Sequence, residues 1–153
     1  MSRLKKFAKK SDLMNVKIAV GKEKFNFNLF KEIVIDEDQL SKDIKDQPSA
    51  YAFLTMLHAK LVKHKKQIET DKDRAFSIAF VRYKKMIDGN TQRPHSKELA
   101  KERANIDPRV KKAEDKLLKA SYELDVIGAC VTAFEQRASL MQTLSANVRS
   151  QKT

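Results

Sequence analysis

The chain has no tryptophan, one cysteine, three glycines and three prolines in 153 residues. So few turn formers exclude a sandwich or barrel of many short strands, and the length allows one mainly helical domain with one modest core. The lone Cys130 excludes an internal disulfide and points to a reducing compartment, and its apolar neighbours predict a packed core thiol. No apolar run is long enough to span a bilayer. The basic start MSRLKKFAKKSDLM leads into no apolar stretch of signal-peptide length. Its RLKKFAKK segment offers only Leu4 and Phe7 as membrane anchors, which gives marginal attachment at best. A soluble, intracellular protein without a membrane partner is expected.

Catalytic signatures are missing too. No Gly-rich loop is followed by Lys and Ser/Thr, and Gly21-Lys22 lacks the flanking pattern, which excludes a P-loop ATPase. His58, His64 and His95 stand without a cysteine cluster or HExxH spacing, against a zinc site. The acidic trio Asp36-Glu37-Asp38 is accounted for by a helix start, where negative charge meets the positive end of the dipole. No Ser/His/Asp or Cys/His arrangement stands out. The expectation is a non-enzyme with no cofactor and no metal.

What the chain has in excess is positive charge: 32 Lys/Arg against 20 Asp/Glu, a net +12. A polyanion is then the default partner. The excess is uneven. Residues 1–31 hold nine cations against two acids and residues 47–103 hold thirteen against six, whereas residues 104–153 hold eight against six. That division predicts anion contact upstream and assembly at the C-terminus.

The C-terminal region is the most regular. From Asp107 to Arg149, six heptads carry a/d pairs Val110/Ala113, Leu117/Ala120, Leu124/Ile127, Val131/Phe134, Ala138/Met141 and Ser145/Val148, the seam of a helix built to meet other helices. Asp107 suits the N-cap, Pro108 the first helical position, and Arg149 and Lys152 the negative end of the dipole. Such a helix runs about 60 Å, more than a domain of this size needs for its own core. Part of the seam, through Val110, Leu117, Leu124, Ile127, Val131, Phe134, Met141 and Val148, is therefore expected between subunits of a homo-oligomeric helical bundle or ring.

Upstream, Val16, Ile18 and Val20 alternate with polar residues before Gly21-Lys22, and Phe25, Phe27 and Leu29 continue the alternation, as in a small hairpin; Ile33–Ile35 reads as a further extended piece. Asp36 and Gln39 have capping-box spacing, with Ile35 and Leu40 as a staple. A short helix is predicted from there to about Gln47. A second follows from Pro48 to about Ile87, with Leu54, Leu57, Leu61, Ile68, Ala75, Ala79, Tyr83 and Met86 at helical spacings, ended by Asp88-Gly89-Asn90. Ser96 caps a short helix to Ile106 within the connector. The predicted fold is all-α in the main: a long helical hairpin with short elements before and between. Its regions are an arm at 1–30 with short strands, a helical DNA-binding region at 31–106 and an oligomerisation helix at 107–153.

The second helix supplies the candidate anion site: Lys60, Lys63, Lys65 and Lys66 cluster, Arg74 follows, and Arg82, Lys84 and Lys85 lie beside Phe80 and Tyr83. Cations that track phosphates and rings that accept unstacked bases are what single-stranded nucleic acid requires. Phe76, Phe80 and Tyr83 also have the spacing of a core stripe, and the cations that of a solvated face. The residues by themselves leave both readings open.

The order EIVIDEDQL, VRYKKMIDG, KERANIDPRV and KLLKASYELDVIGACVTAFEQRASLMQTLSANVRS resembles the UvsY family of recombination mediators from T-even-like phages, over about residues 30–150. The resemblance implies a homo-oligomeric, non-enzymatic protein of the infected bacterial cytoplasm. It would bind single-stranded DNA and help a RecA-like phage recombinase displace the phage single-strand-binding protein. The family's basic run before the tyrosine falls here on Ile78 and Phe80, so Arg74, Arg82, Lys84 and Lys85 around Tyr83 are its expected substitutes. A helical scaffold whose charge serves solubility or an acidic protein, and a duplex-packaging protein, are the alternatives.

Overall fold

The computed structural model describes residues 14–20, 23–87, 89 and 92–150. The basic arm of residues 1–13, the Gly21-Lys22 turn, Asp88 and Asn90 of the expected helix stop, and Lys152 lie outside the described residues. Strands β1 (Asn15–Val20) and β2 (Glu23–Asn28) pair antiparallel, with Val16 opposite Phe27 and Ile18 opposite Phe25. The alternation of the sequence is thus realised: Val16 and Ile18 are buried, and Asn15, Lys17 and Ala19 face solvent. Asn28 ends the hairpin twice over. Its amide donates to Asn15 Oδ1 at 2.7 Å, and its Oδ1 accepts from the Lys31 N–H at 3.1 Å, which caps helix α1 (Leu29–Ile33). The expected extended piece at Ile33–Ile35 accordingly begins as the last residue of a helix, because the Asn28 cap turns the chain earlier.

A short 3₁₀ turn (Glu37–Gln39) leads into α2 (Leu40–Lys85), followed by α3 (Lys97–Asn105) and α4 (Pro108–Ser150). The mainly helical class and the two long helices are as expected. The helix break at Pro48 is not: α2 runs through it. An interior proline costs about 3 kcal/mol through its missing N–H and ring clash. Burial of Leu54, Leu57 and Leu61 on the same helix offsets this, at about 1.5–3 kcal/mol each. Gln47, just ahead of the proline, is buried and donates from Nε2 to the Phe134 carbonyl at 2.7 Å, pinning the helix there. The capping box is also rearranged. Asp36 Oδ1 accepts from the Asp38 N–H, and the Asp36 N–H donates to Asp43 Oδ2 rather than to Gln39, since the 3₁₀ turn leaves Gln39 facing solvent.

The chain divides into two compact units, residues 1–61 with 123–153, and residues 62–122. These cut across the three expected regions, because each long helix lends one half to each core. In the first unit, Val16, Ile18, Leu54, Leu57, Leu61, Ile127, Cys130 and Phe134 form the core. The halves of α2 and α4 meet antiparallel there: Gln47 reaches Phe134, Tyr51 donates to Glu135 at 2.9 Å, and His58 faces Gly128. In the second, Ala79, Ala104 and Val110 are buried beneath Ala75, Phe76, Phe80 and Tyr83.

The stripe of α4 that is buried within the chain overlaps the expected seam in part. Its buried positions are Val110, Ala120, Glu123, Ile127, Cys130, Phe134, Arg137 and Met141; from Ala120 onward they form a 3-4 alternation that keeps the d positions and replaces a by g. Leu117, Leu124 and Val131 fall to the half-buried edge, and Val148 is exposed. The period and the d positions were legible and the g positions were not, because Cys130 and two charged residues occupy them. Arg137 explains its own burial: it donates to Gln47 Oε1 and to Asp43 Oδ2 at 3.2 Å. Burial pushes the Cys130 thiol up, as expected of an inert core cysteine.

Removing one partner of a buried charge pair strands the other. Arg137→Ala should lower the unfolding free energy by about 3 kcal/mol in urea titration, with loss at the start of α2 in hydrogen exchange. A change within 0.5 kcal/mol, the range of a neutral surface substitution, would show that this network does not hold α2 to α4.

Candidate nucleic-acid interface

The candidate surface belongs to the unit of residues 62–122, which holds 17 Lys/Arg against nine Asp/Glu, a net +8 of the chain's +12. Along α2, Lys63, Arg74 and Lys85 recur at intervals of eleven residues, close to three turns, so they share one face at steps of about 16 Å. All three are exposed, as is Lys66, while Lys65 is half-buried. None of these five makes an ion pair among the described residues. Between Arg74 and Lys85 the same face presents Ile78 and Val81, both at least half exposed.

The other three predicted site residues are engaged within the unit. Arg82 pairs with Asp107, and its guanidinium lies 4.8 Å from the centre of the Tyr83 ring. The Tyr83 hydroxyl donates to the same Asp107 Oδ2 at 3.2 Å, and Lys84 Nζ donates to the His95 carbonyl at 3.1 Å. These three side chains join the end of α2 to the connector and to the start of α4. The connector is closed further by a bridge between Ile87 and Pro94 and by the His95 N–H on the Met86 carbonyl at 3.0 Å. Phe76 and Phe80 stack on each other at 6.3 Å and pack on the buried Ala79, Ala104 and Val110. The rings next to the cations thus serve the core, and the exposed apolar contacts on this face are aliphatic.

Asp107 does more than the sequence assigned it. One carboxylate oxygen caps α4 by accepting from the Arg109 N–H at 2.9 Å, and the other receives Arg82 and Tyr83. Its side chain is 2% exposed. The Arg109 N–H, then the Arg82 charge and the Tyr83 hydroxyl, hold its carboxyl below the ordinary value of 3.8, against the opposing effect of burial. A second set of residues was also missed. Arg109, Lys112, Lys116 and Lys119 are exposed on the opening turns of α4, a part of the chain read only as an assembly seam. Their 3-4-3 spacing is the signal that would have found them.

Four of the expected seam residues, Val110, Ile127, Phe134 and Met141, are fully buried within the chain itself. Exposed large apolar residues on α4 are Val148 of the expected seam and, outside it, Leu118, Tyr122 and Leu140. No helix among the described residues is long and apolar enough to cross a membrane.

Two long helices with a short helix between them make up most of the described chain. The chain has the UvsY fold: crystal structures of the recombination mediator protein UvsY of bacteriophage T4 match it with TM-scores of 0.66, 0.66 and 0.64. The matches cover 82% of this chain and 93–96% of those, at 19–20% identity. No family model matches the sequence, and no curated protein matches it either.

A depressed carboxyl stabilises the fold above its unfolded value and stops doing so as pH falls through its folded value. The Asp107 contribution should therefore be complete above about pH 4 and disappear on further acidification. Asp107→Asn should lower the melting temperature at pH 7 and flatten its fall below pH 4. Parallel wild-type and variant melting curves across that range would contradict the role assigned to Asp107.

Proposed function

We propose that this protein is a recombination mediator that binds single-stranded DNA and promotes loading of a RecA-like recombinase onto DNA covered by single-strand-binding protein. The observation that carries the proposal is the likeness in fold of 82% of the chain to a recombination mediator. The concentration of +8 of the net charge in one unit supports a polyanionic ligand. Lys63, Lys66, Arg74 and Lys85 take phosphates, with Lys65 at the edge and Ile78 and Val81 supplying apolar contact to bases. Arg82, Tyr83 and Lys84 position this face rather than touch the strand, since their polar ends are committed to Asp107 and His95.

The mechanism is geometric. Copies gathered through Leu140 and Val148, exposed towards the end of α4, would multiply a weak basic face, and effective concentration converts poor single-site affinity into avidity. A strand drawn over several such faces is held in a shape that disfavours the single-strand-binding protein and favours the recombinase filament. Partners are therefore single-stranded DNA, the recombinase, the single-strand-binding protein and further copies of this chain. No nucleotide hydrolysis by this chain is needed.

The direct test is recombinase filament formation on a strand precoated with single-strand-binding protein. Adding the protein should shorten the lag; an unchanged lag at all protein concentrations would sink the proposal. Replacing Lys63, Lys66 and Arg74 by Gln should weaken oligothymidine binding and reduce the salt slope by about 0.7 for each lost phosphate contact. Arg82→Gln should act mainly on melting temperature. Leu140→Asp with Val148→Asp, both outside the core, should lower the solution mass and the DNA affinity together. Full affinity in a monomeric variant would refute avidity.

A further inference from the structure

Resting on the single-strand reading above, we propose that the opening turns of α4 form a second contact surface for single-stranded nucleic acid. Arg109, Lys112, Lys116 and Lys119 would meet phosphates there, and Tyr122 would stack on a base. The four cations follow one another at three, four and three residues, so they form one straight ridge about 15 Å long. All four are exposed, and none makes an ion pair among the described residues. Like charges at these spacings repel along a helix. The neighbouring ridge relieves the same strain, with Lys111 bonded to Glu114 at 2.9 Å. Asp115, at helical spacing from both Lys112 and Lys119, forms no ion pair with either. No ion pair among the described residues ties up the four cations, and the ridge, four charges against the one of Asp115, suits a linear polyanion.

Two further side chains choose among polyanions. Tyr122 lies one turn beyond Lys119 with 68% of its surface exposed, and Leu118, one turn before Tyr122 on its other flank, is 73% exposed. A ring beside a row of cations is the arrangement that takes an unstacked base while the backbone follows the charges. Duplex DNA offers phosphates but no free base face. An acidic protein segment would satisfy the cations and leave the ring unused. The same row of charge opposes close packing of an identical helix on this face, which keeps it available when copies assemble elsewhere.

The test uses the full chain and fluorescently labelled oligothymidine. The variant with Arg109→Gln, Lys112→Gln, Lys116→Gln and Lys119→Gln retains good helix formers, and circular dichroism should match the wild type. It should bind roughly tenfold or more weakly at about 0.1 M salt, with the salt slope smaller by about 2–3. Tyr122→Leu, which keeps apolar bulk and removes the ring, should weaken binding roughly fivefold with an unchanged slope. Lys112→Arg with Lys116→Arg and Lys119→Arg should retain affinity, which separates charge from folding. If the wild type binds and the Gln variant matches it, the second surface is refuted and the mediator reading stands. Failure of the wild type itself to bind any strand refutes both. Displacement of the strand by polyglutamate at equal charge, with Tyr122→Leu binding as wild type, would assign the ridge to an acidic protein and overturn the inference.

Discussion

The unit of residues 62–122 depends on one carboxylate. Asp107 sits at the first residue before α4, and its two oxygens divide between the free N–H of the new helix and the Arg82–Tyr83 pair at the end of α2. An N-cap alone stabilises by about 1 kcal/mol. Here the same side chain also fixes where α2 stops relative to where α4 starts, so the buried Ala79 and Val110 meet beneath it. Small alanines at the contact let the backbones approach, and stacked Phe76 and Phe80 cover the gap. Once those positions are set, helical geometry alone decides which cations of α2 and α4 face outward.

This ordering separates two kinds of basic residue that look alike in a sequence. Arg82 is paired with a buried acid and Lys84 is held on a backbone carbonyl, whereas Lys63, Arg74 and Lys85 on α2, and Arg109, Lys112, Lys116 and Lys119 on α4, have no ion-pair partner among the described residues. Cations already paired with a buried acid bring little net attraction to a phosphate, because binding would first have to break the existing pair. Unpaired cations on a helix face release counterions when a strand docks, and that release drives most non-specific nucleic-acid binding.

Much of this was legible in the sequence where the signal was local. The Val16/Ile18 alternation, the Ser96 cap and the Asp107-Pro108 start were all read from neighbours within a few residues. They stand because a cap or a pleat is decided at that range. The failures came from contacts distant in sequence. Pro48 looked like a boundary, yet Gln47 bonds to Phe134, 87 residues away. The a/d template kept the d half of the buried α4 stripe and missed the other half, because it admits no Glu123 or Arg137 to the core, and Arg137 is there to meet Asp43 and Gln47. The same template hid the cationic ridge, whose residues fall on its c and g positions. That Arg82 and Tyr83 serve Asp107 could not be inferred from a basic cluster alone.

The central claim is that the positive field of this protein exists to hold single-stranded DNA. The measurement that tests it most directly is a paired anisotropy titration of the wild-type chain with oligothymidine and with a duplex of equal length, each at several salt concentrations. The account predicts tighter binding to the single strand and a steep fall in affinity with salt for that strand. Equal or tighter duplex binding would contradict it in favour of DNA packaging, and no binding even at low salt would leave a helical scaffold in its place.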